Sequence, residues 1–254
     1  MGIFAVTGAA SGIGAATESQ LKALGHEVVS IDIRDADVNG DLSRPEARRQ
    51  AVAAILQKAP GGLDGLVTCA GVSVDVDSPG LIPRVNFFGS VDLVEGLKPA
   101  LAMRRGAVVL VSSNSAWLGK CDDRYLQALL DLDEATAVRL APTLDLPTVY
   151  IGAKQSLCRW MRRNNADYAQ LGIRMNAIAP GFTHTKMTET LLSLPAFAAG
   201  MRDLIATTPL GRTAEPADQA DAILFLLSER ARFISGSVLY VDGGYDALCR
   251  PDQF

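Results

Sequence analysis

The sequence predicts an α/β fold with a doubly wound parallel sheet, in one domain over residues 1–254. Three observations predict it. Short β-branched runs alternate with longer helical stretches along the whole chain. The runs "AVVLV" and "GLVTC" are apolar at nearly every position, as strands covered on both faces must be. No linker, low-complexity tract or internal repeat divides the chain. Strand–helix alternation of this kind builds βαβ units, whose right-handed crossovers place helices on both faces of a parallel sheet.

The elements follow in order. "IFAV" is a strand and "GIGAATESQLKALG" the helix after it. "EVVSID" precedes the helical "RPEARRQAVAAILQKA". "LDGLVTCAG" leads into "NFFGSVDLVEGLKPALAM", and "GAVVLVSS" is the fourth strand-like run. "YIGAKQSLCRWMRRNNADYAQLG" is a long helix, followed by the strand "IRMNAIAP". "PADQADAILFLLSE" is a late helix, and "GSVLYVDGG" the last strand. Two segments break the alternation. Residues 118–147 form an acidic, partly helical insertion, and residues 182–209 a long connection with apolar residues at partly helical spacing. Connections of that length in compact domains usually carry function.

Composition excludes several function classes. The net charge is −4, with no basic stripe, so nucleic acid is not an expected partner. No apolar run approaches the ~18 residues of a membrane span, and the start lacks a signal-peptide pattern. Four cysteines, at 69, 121, 158 and 249, form no C-x-x-C. A reducing cytoplasm with free thiols is the expected setting. Only His26 and His184 are available, so neither a histidine-based metal site nor a Ser–His–Asp triad is well supplied, and no metal is expected. The acidic residues of the insertion (Asp122, Asp123, Asp131, Asp133 and Glu134) suit a wet face better than a metal site.

The loop "TGAASGIG" carries the first chemical signal. Gly8, Gly12 and Gly14 permit a tight turn and a close approach of backbone to a pyrophosphate. Ser11 and Ile13 lie in the same loop, which opens the first helix, and a helix N-terminus offers free N–H donors to phosphate. Asp32 ends the second strand, 18 residues past Gly14. A carboxylate there suits a ribose 2′-hydroxyl and repels a 2′-phosphate. NAD is therefore the expected cofactor rather than NADP, with Arg34 read as a solvated surface residue. The second signal is "YIGAK", with Tyr150 four places before Lys154. On a helix the two side chains share a face. A surface turn is the plainer reading of that spacing. The chemical one is an ammonium that lowers the phenol's pKa from its usual ~10 towards neutrality.

Taken in order, the glycine loop, Asp41–Leu42, "CAG" at 69–71, Asn86 in "VNFFG", Ser113 in "VSSNS", Tyr150 with Lys154, Pro180–Gly181 and "DGG" at 242–244 resemble the short-chain dehydrogenase/reductase family. The resemblance spans nearly the whole chain. It implies a single-domain Rossmann fold and roles for individual residues. Tyr150 becomes the catalytic acid/base, and Lys154 lowers its pKa and holds the nicotinamide ribose. Ser113 orients the substrate oxygen. Asn86 kinks a helix and holds a water in a proton relay to Lys154. Asp41 and Leu42 flank the adenine, and Ala70 and Gly71 pack along its ribose. Pro180, Phe182 and Thr183 line the nicotinamide side. Two departures stand out: Cys69 replaces a usual asparagine, and Ser113 and Tyr150 are 37 residues apart because of the insertion. Ser112 and Ser115 are therefore alternative partners of the tyrosine.

More narrowly, "IDIRDADV", "DGLVTCAG", the insertion and the ending "DALCRPDQF" are similar to the bacterial 3α-hydroxysteroid dehydrogenase/carbonyl reductase branch. That implies an NAD-dependent oxidoreductase acting between a secondary alcohol and a ketone on a bulky apolar substrate such as a 3-hydroxysteroid. Met187, Leu191 and Leu192 are the expected substrate contacts, on a lid over 182–209 that moves before binding. A cyclic alcohol, an aromatic dihydrodiol or a polyol is the alternative substrate. A non-catalytic dinucleotide sensor is the distant alternative function, disfavoured because Tyr150 and Lys154 are both present. The resemblance also implies a homodimer or homotetramer. The insertion is expected either to wall the substrate pocket or to cover helices that relatives use for assembly.

Overall fold

The apolar runs of the sequence form the middle of a seven-stranded sheet. In the computed structural model, which describes residues 1–253, the strands are β1 Ile3–Thr7, β2 Glu27–Asp32, β3 Val38–Asn39, β4 Gly65–Thr68, β5 Ala107–Val111, β6 Arg174–Pro180 and β7 Val238–Val241. Their spatial order is β3-β2-β1-β4-β5-β6-β7, and every pairing is parallel. Every residue of β4 and β5 is buried, because helices cover both faces. The direction of winding reverses between β1 and β4, whose last residues Thr7 and Thr68 are in register. In such sheets the crevice beyond the strands' carboxyl ends at this point takes the ligand.

One face of the sheet carries α1 (Gly12–Ala23). The other carries α2 (Pro45–Lys58) and α3 (Leu81–Pro83), which runs through a π-turn at Arg84–Phe88 into α4 (Gly89–Arg104). The insertion folds into α5 (Asp123–Leu130) and α6 (Glu134–Leu140) and leads into α7 (Leu146–Gln170). Beyond β6 lie α8 (Lys186–Ser193) and α9 (Pro195–Thr207). They are followed by α10 (Pro216–Leu227), beside α1, and α11 (Tyr245–Cys249) after β7. Two cores result: Leu21, Ile223, Leu226 and Val109 lie among the residues under α1 and α10, and Leu66, Leu97, Leu110 and Leu157 among those under α2, α4 and α7. Each such fully buried aliphatic side chain is worth roughly 1.5–3 kcal/mol.

The long helix begins a turn earlier than its apolar pattern indicates, at Leu146 rather than Tyr150. The Asp145 carboxylate caps it, accepting from the Thr148 N–H at 2.8 Å, and Pro147 occupies the first turn. An Asp cap followed by Pro is a start signal. The early start places Tyr150 inside regular helix, so its spacing to Lys154 is fixed.

In the insertion, Asp122 and Asp133 cap α5 and α6 by accepting backbone N–H bonds. Among the described residues no group of three His, Cys, Asp or Glu could hold a metal ion. Tyr125 lies fully buried against Gly152 of α7. Glu134 pairs at 2.6 Å with Arg48 of α2, which is itself fully buried. The insertion is thus docked on α7 and reaches α2, and of residues 118–147 only Pro147 lines the cleft described below. No described helix is long and apolar enough to cross a membrane.

Candidate active site

The glycine loop runs from the end of β1 into α1. Gly8 has φ +67° and abuts the backbone at Ala70, so a Cβ there would lie 2.7 Å from the Ala70 nitrogen. A Cβ on Gly14 would collide with the Gly8 carbonyl. The loop must therefore be glycine at both places. Ser11 is the N-cap of α1 and is exposed, but its side chain makes no capping bond. The first N–H groups of the helix, at Gly12, Ile13 and Gly14, are left to an anion. Asp32, at the end of β2, accepts from the N–H of Ala10 at 3.0 Å and of Ile33 at 2.7 Å. Its carboxylate thereby joins the loop to the strand. Arg34 is exposed, with only Asp35 at 4.0 Å, as expected of a solvated residue.

The neighbouring strand ends are tied together by side chains. Thr7 Oγ1 accepts from the Ala70 N–H at 3.0 Å. Asn86 lies in the π-turn and pairs with Val72 at both backbone atoms: its Oδ1 accepts at 2.8 Å and its Nδ2 donates at 2.9 Å. Such π-turns inside helices concentrate at functional sites, and the kink expected at Asn86 is this one. Gly71 faces the Asn86 carboxamide and the Lys154 ammonium. Leu42 is buried and Asp41 is exposed, its carboxylate accepting from Ser43 N–H at 3.0 Å. Beyond β6, Pro180, Phe182 and Thr183 line the cleft. Gln219, which sequence reasoning missed, donates to Thr183 Oγ1 and to the Val241 carbonyl and so fixes that wall. Its signal is weak in the sequence because its partners lie 36 and 22 residues away.

Tyr150 and Lys154 rise from α7 into the same cleft, which has a volume of about 320 Å³. Ser113 ends the loop after β5 and lines the same cleft as Tyr150. The three serines differ in their partners: Ser112 donates to the Lys154 carbonyl at 3.0 Å, and Ser115 lies against Ser113 itself, Oγ to Oγ 2.9 Å. Burial pushes the Cys69 thiol up to about 12, so it is no nucleophile.

The lowering of the Tyr150 pKa expected from Lys154 has an opposing influence: burial raises the phenol's pKa, with the neighbouring Ser113 acting the other way. The Lys154 Nζ donates to the Val111 carbonyl at 2.8 Å and sits 5.9 Å from the centre of the tyrosine ring. Burial also brings Lys154 itself down to about 8. Burial thus shifts both groups of the pair towards their uncharged forms.

Helices α8 and α9 form one wall of the cleft. Met187, Leu191, Phe197, Met201 and Leu204 line it. Leu192 does not: the helical turn carries it off the cleft face, so this expected contact is replaced by the α9 residues. Ile151 and Val72 add to the apolar wall. A second cavity of about 400 Å³ lies on the other side of Phe182, beside the Arg212–Asp218 ion pair, and is lined by none of Ser113, Tyr150 and Lys154.

A glycine-rich βα turn, an acid at the end of β2 and Ser113, Tyr150 and Lys154 in one cleft are the features set beside the comparisons with known proteins. The chain is 39% identical, over the full length of both, to a 3-alpha-hydroxysteroid dehydrogenase/carbonyl reductase of Comamonas testosteroni. It belongs to the short-chain dehydrogenase family. The short chain dehydrogenase model matches residues 3–120, and a model described as Enoyl-(Acyl carrier protein) reductase matches residues 129–246. A cis-4-hydroxycyclohexanecarboxylate dehydrogenase of Sinomonas cyclohexanicum is 32% identical over 96% of each chain. The fold superimposes on a 3-alpha-hydroxysteroid dehydrogenase of Pseudomonas sp. B-0831, solved with NADH. That match has a TM-score of 0.96 and 43% identity over 99% of this chain and 100% of that one. The chain is an oxidoreductase of this family.

Proposed function

We propose that this short-chain dehydrogenase interconverts a secondary alcohol and its ketone on a bulky apolar substrate, with NAD(H) as cofactor and Ser113, Tyr150 and Lys154 as its reacting groups. The observation that carries the proposal is the convergence of those three side chains in an apolar cleft beside a glycine turn. The residues fit a dinucleotide: Gly8 and Gly14 leave a cradle that a Cβ would fill, α1 presents uncapped N–H groups, and the Asp32 carboxylate favours NAD over NADP. When bound, the nicotinamide supplies or accepts the hydride.

The chain manages the proton. In oxidation Tyr150 takes the hydroxyl proton of the substrate, and in reduction it returns one to the forming alkoxide. Ser113 donates to the substrate oxygen where negative charge develops. Lys154 keeps a positive charge beside the site, held by Val111. Since burial alone raises the Tyr150 pKa, the loaded site must supply the cationic field that favours phenolate. Asn86, fixed by Val72, holds the turn against which Lys154 and Gly71 pack, and we assign it the water of the proton relay.

A 3-hydroxysteroid is the favoured substrate. The relatives named above as hydroxysteroid dehydrogenases support it, as does the apolar lid. A six-membered cyclic alcohol is the second reading, supported by the cyclohexanecarboxylate relative. The four cysteines are free, which suits a cytoplasmic protein. A homodimer or homotetramer is proposed on the family resemblance. The test is formation of reduced nicotinamide from NAD and, separately, NADP with androsterone and with a panel of cyclic alcohols. Turnover with NAD and androsterone supports the whole assignment. Turnover only with small cyclic alcohols moves the substrate to the second reading, and preference for NADP overturns the role of Asp32.

A further inference from the structure

The serine that faces Tyr150 is itself held by another. Ser113 caps a short 3₁₀ turn at Asn114–Trp117, and its Oγ accepts from the Ser115 N–H at 3.3 Å. The Ser115 hydroxyl lies 2.9 Å from the same oxygen. We propose that Ser115 is a positioning residue that acts through Ser113: it donates to Ser113 Oγ and so commits the Ser113 proton to the substrate oxygen. The proposal rests on the role given above to Ser113.

A hydroxyl has one proton and two acceptor lone pairs. The Ser115 N–H takes one lone pair of Ser113. The Oγ–Oγ contact has two possible directions. Were Ser113 the donor, its one proton would be spent inside the loop, and both Tyr150 and a developing alkoxide would face only its lone pairs. With Ser115 the donor, both lone pairs of Ser113 are filled, and its proton points to whatever negative oxygen lies ahead. Among the described residues the Ser115 hydroxyl has no other hydrogen-bond partner, so no other side chain or backbone group competes for it. Hydroxyls in series polarise one another, which strengthens the terminal donor. Ser112 cannot take this part, because its own hydroxyl donates to the Lys154 carbonyl.

The experiment uses the full chain and its Ser115→Ala, Ser115→Thr, Ser113→Ala and doubly substituted forms, with NAD and androsterone. Removing a direct oxyanion donor costs roughly 10²–10³ in kcat, and an indirect one should cost about tenfold. Ser115→Ala is expected to lower kcat by about tenfold while KM moves by less than about twofold. Ser115→Thr, which keeps the hydroxyl, restores most of the rate. The double variant is no slower than Ser113→Ala alone, because Ser115 works only through Ser113. An unchanged kcat in Ser115→Ala, or losses that multiply in the double variant, would overturn the proposal. A second readout needs no turnover: tyrosinate absorbance against pH, taken as the difference from Tyr150→Phe, gives the Tyr150 midpoint. Ser115→Ala should raise it, and an unmoved midpoint also overturns the proposal. If the unsubstituted chain turns over no alcohol, the functional assignment falls, while this titration still decides the role of Ser115.

Discussion

The two sides of the cleft are built differently. The cofactor side consists of strand ends and short turns joined through backbone: Asp32 to Ala10, Thr7 to Ala70, Asn86 to Val72. The side proposed for the substrate consists of helices α8 and α9, which present flexible apolar side chains such as Met187, Met201 and Leu204. Bonds such as Thr188 to the Thr183 carbonyl and His184 N–H to the Ala214 carbonyl tie the lid to the body at its base. Positions that must be correct to a fraction of an ångström rest on packed strands. Positions that need only exclude water and match bulk rest on helices whose methionines adapt. Chemistry and substrate choice should therefore separate under substitution.

The largest effect is expected on the chemical side. Tyr150→Phe removes the proton carrier and should lower kcat by about 10²–10⁴-fold, while NADH binding, followed by fluorescence, stays within about twofold of the original. Loss of binding together with rate would show that the tyrosine holds the cofactor instead. Lys154→Met should also abolish turnover, yet stabilise the fold. The folded-state pKa of Lys154, about 8, lies below its ordinary 10.5. The charged form is therefore penalised in full below pH 8, and the penalty fades as pH rises to 10.5. At about 1.36 kcal/mol per pKa unit the gain in the variant reaches on the order of 3 kcal/mol at pH 7, less the bond lost to Val111. Thermal melts at pH 7 and pH 10 read it: a higher Tm at pH 7 that converges at pH 10. An equal Tm difference at both pH values would contradict the burial argument.

Asp32→Ala tests the far end of the same side. NAD affinity should fall about tenfold while the NADP penalty shrinks, so the ratio of kcat/KM for the two cofactors narrows. An unaltered ratio would remove Asp32 from cofactor choice. On the substrate side Met201→Ala should raise KM for androsterone by about tenfold and leave small cyclic alcohols within about twofold. Equal effects on both would mean that the lid shapes the catalytic centre and not only the pocket.

The same division explains what was legible in the sequence. The sheet was readable because doubly covered strands must be continuously apolar, as at 65–68 and 107–111. Gly14 was readable because its clash partner, the Gly8 carbonyl, is local, and Gly8 because the positive φ of the turn marks it although its close neighbour Ala70 is distant in sequence. Tyr150 and Lys154 were readable as a pair one helical turn apart. What they do to one another was not, since burial, the Val111 carbonyl and the distance to the ring are products of tertiary packing. The true start of α7 at Leu146 was missed although Asp145 and Pro147 signal it, because the apolar pattern begins later. Leu192 fell on the wrong face because the helix phase of the lid could not be fixed from its spacing. The seat of the insertion depends on Tyr125 meeting Gly152 and on Glu134 meeting Arg48, 86 residues away, and no local pattern encodes either contact.

The account stands most directly on one assay: the rate of NAD reduction with androsterone, measured for the chain and for Tyr150→Phe at the same cofactor saturation. Rapid turnover that the variant loses by at least about a hundredfold, with NADH still bound, is the predicted result. Turnover that survives the substitution would contradict the assignment of Tyr150 as the proton carrier.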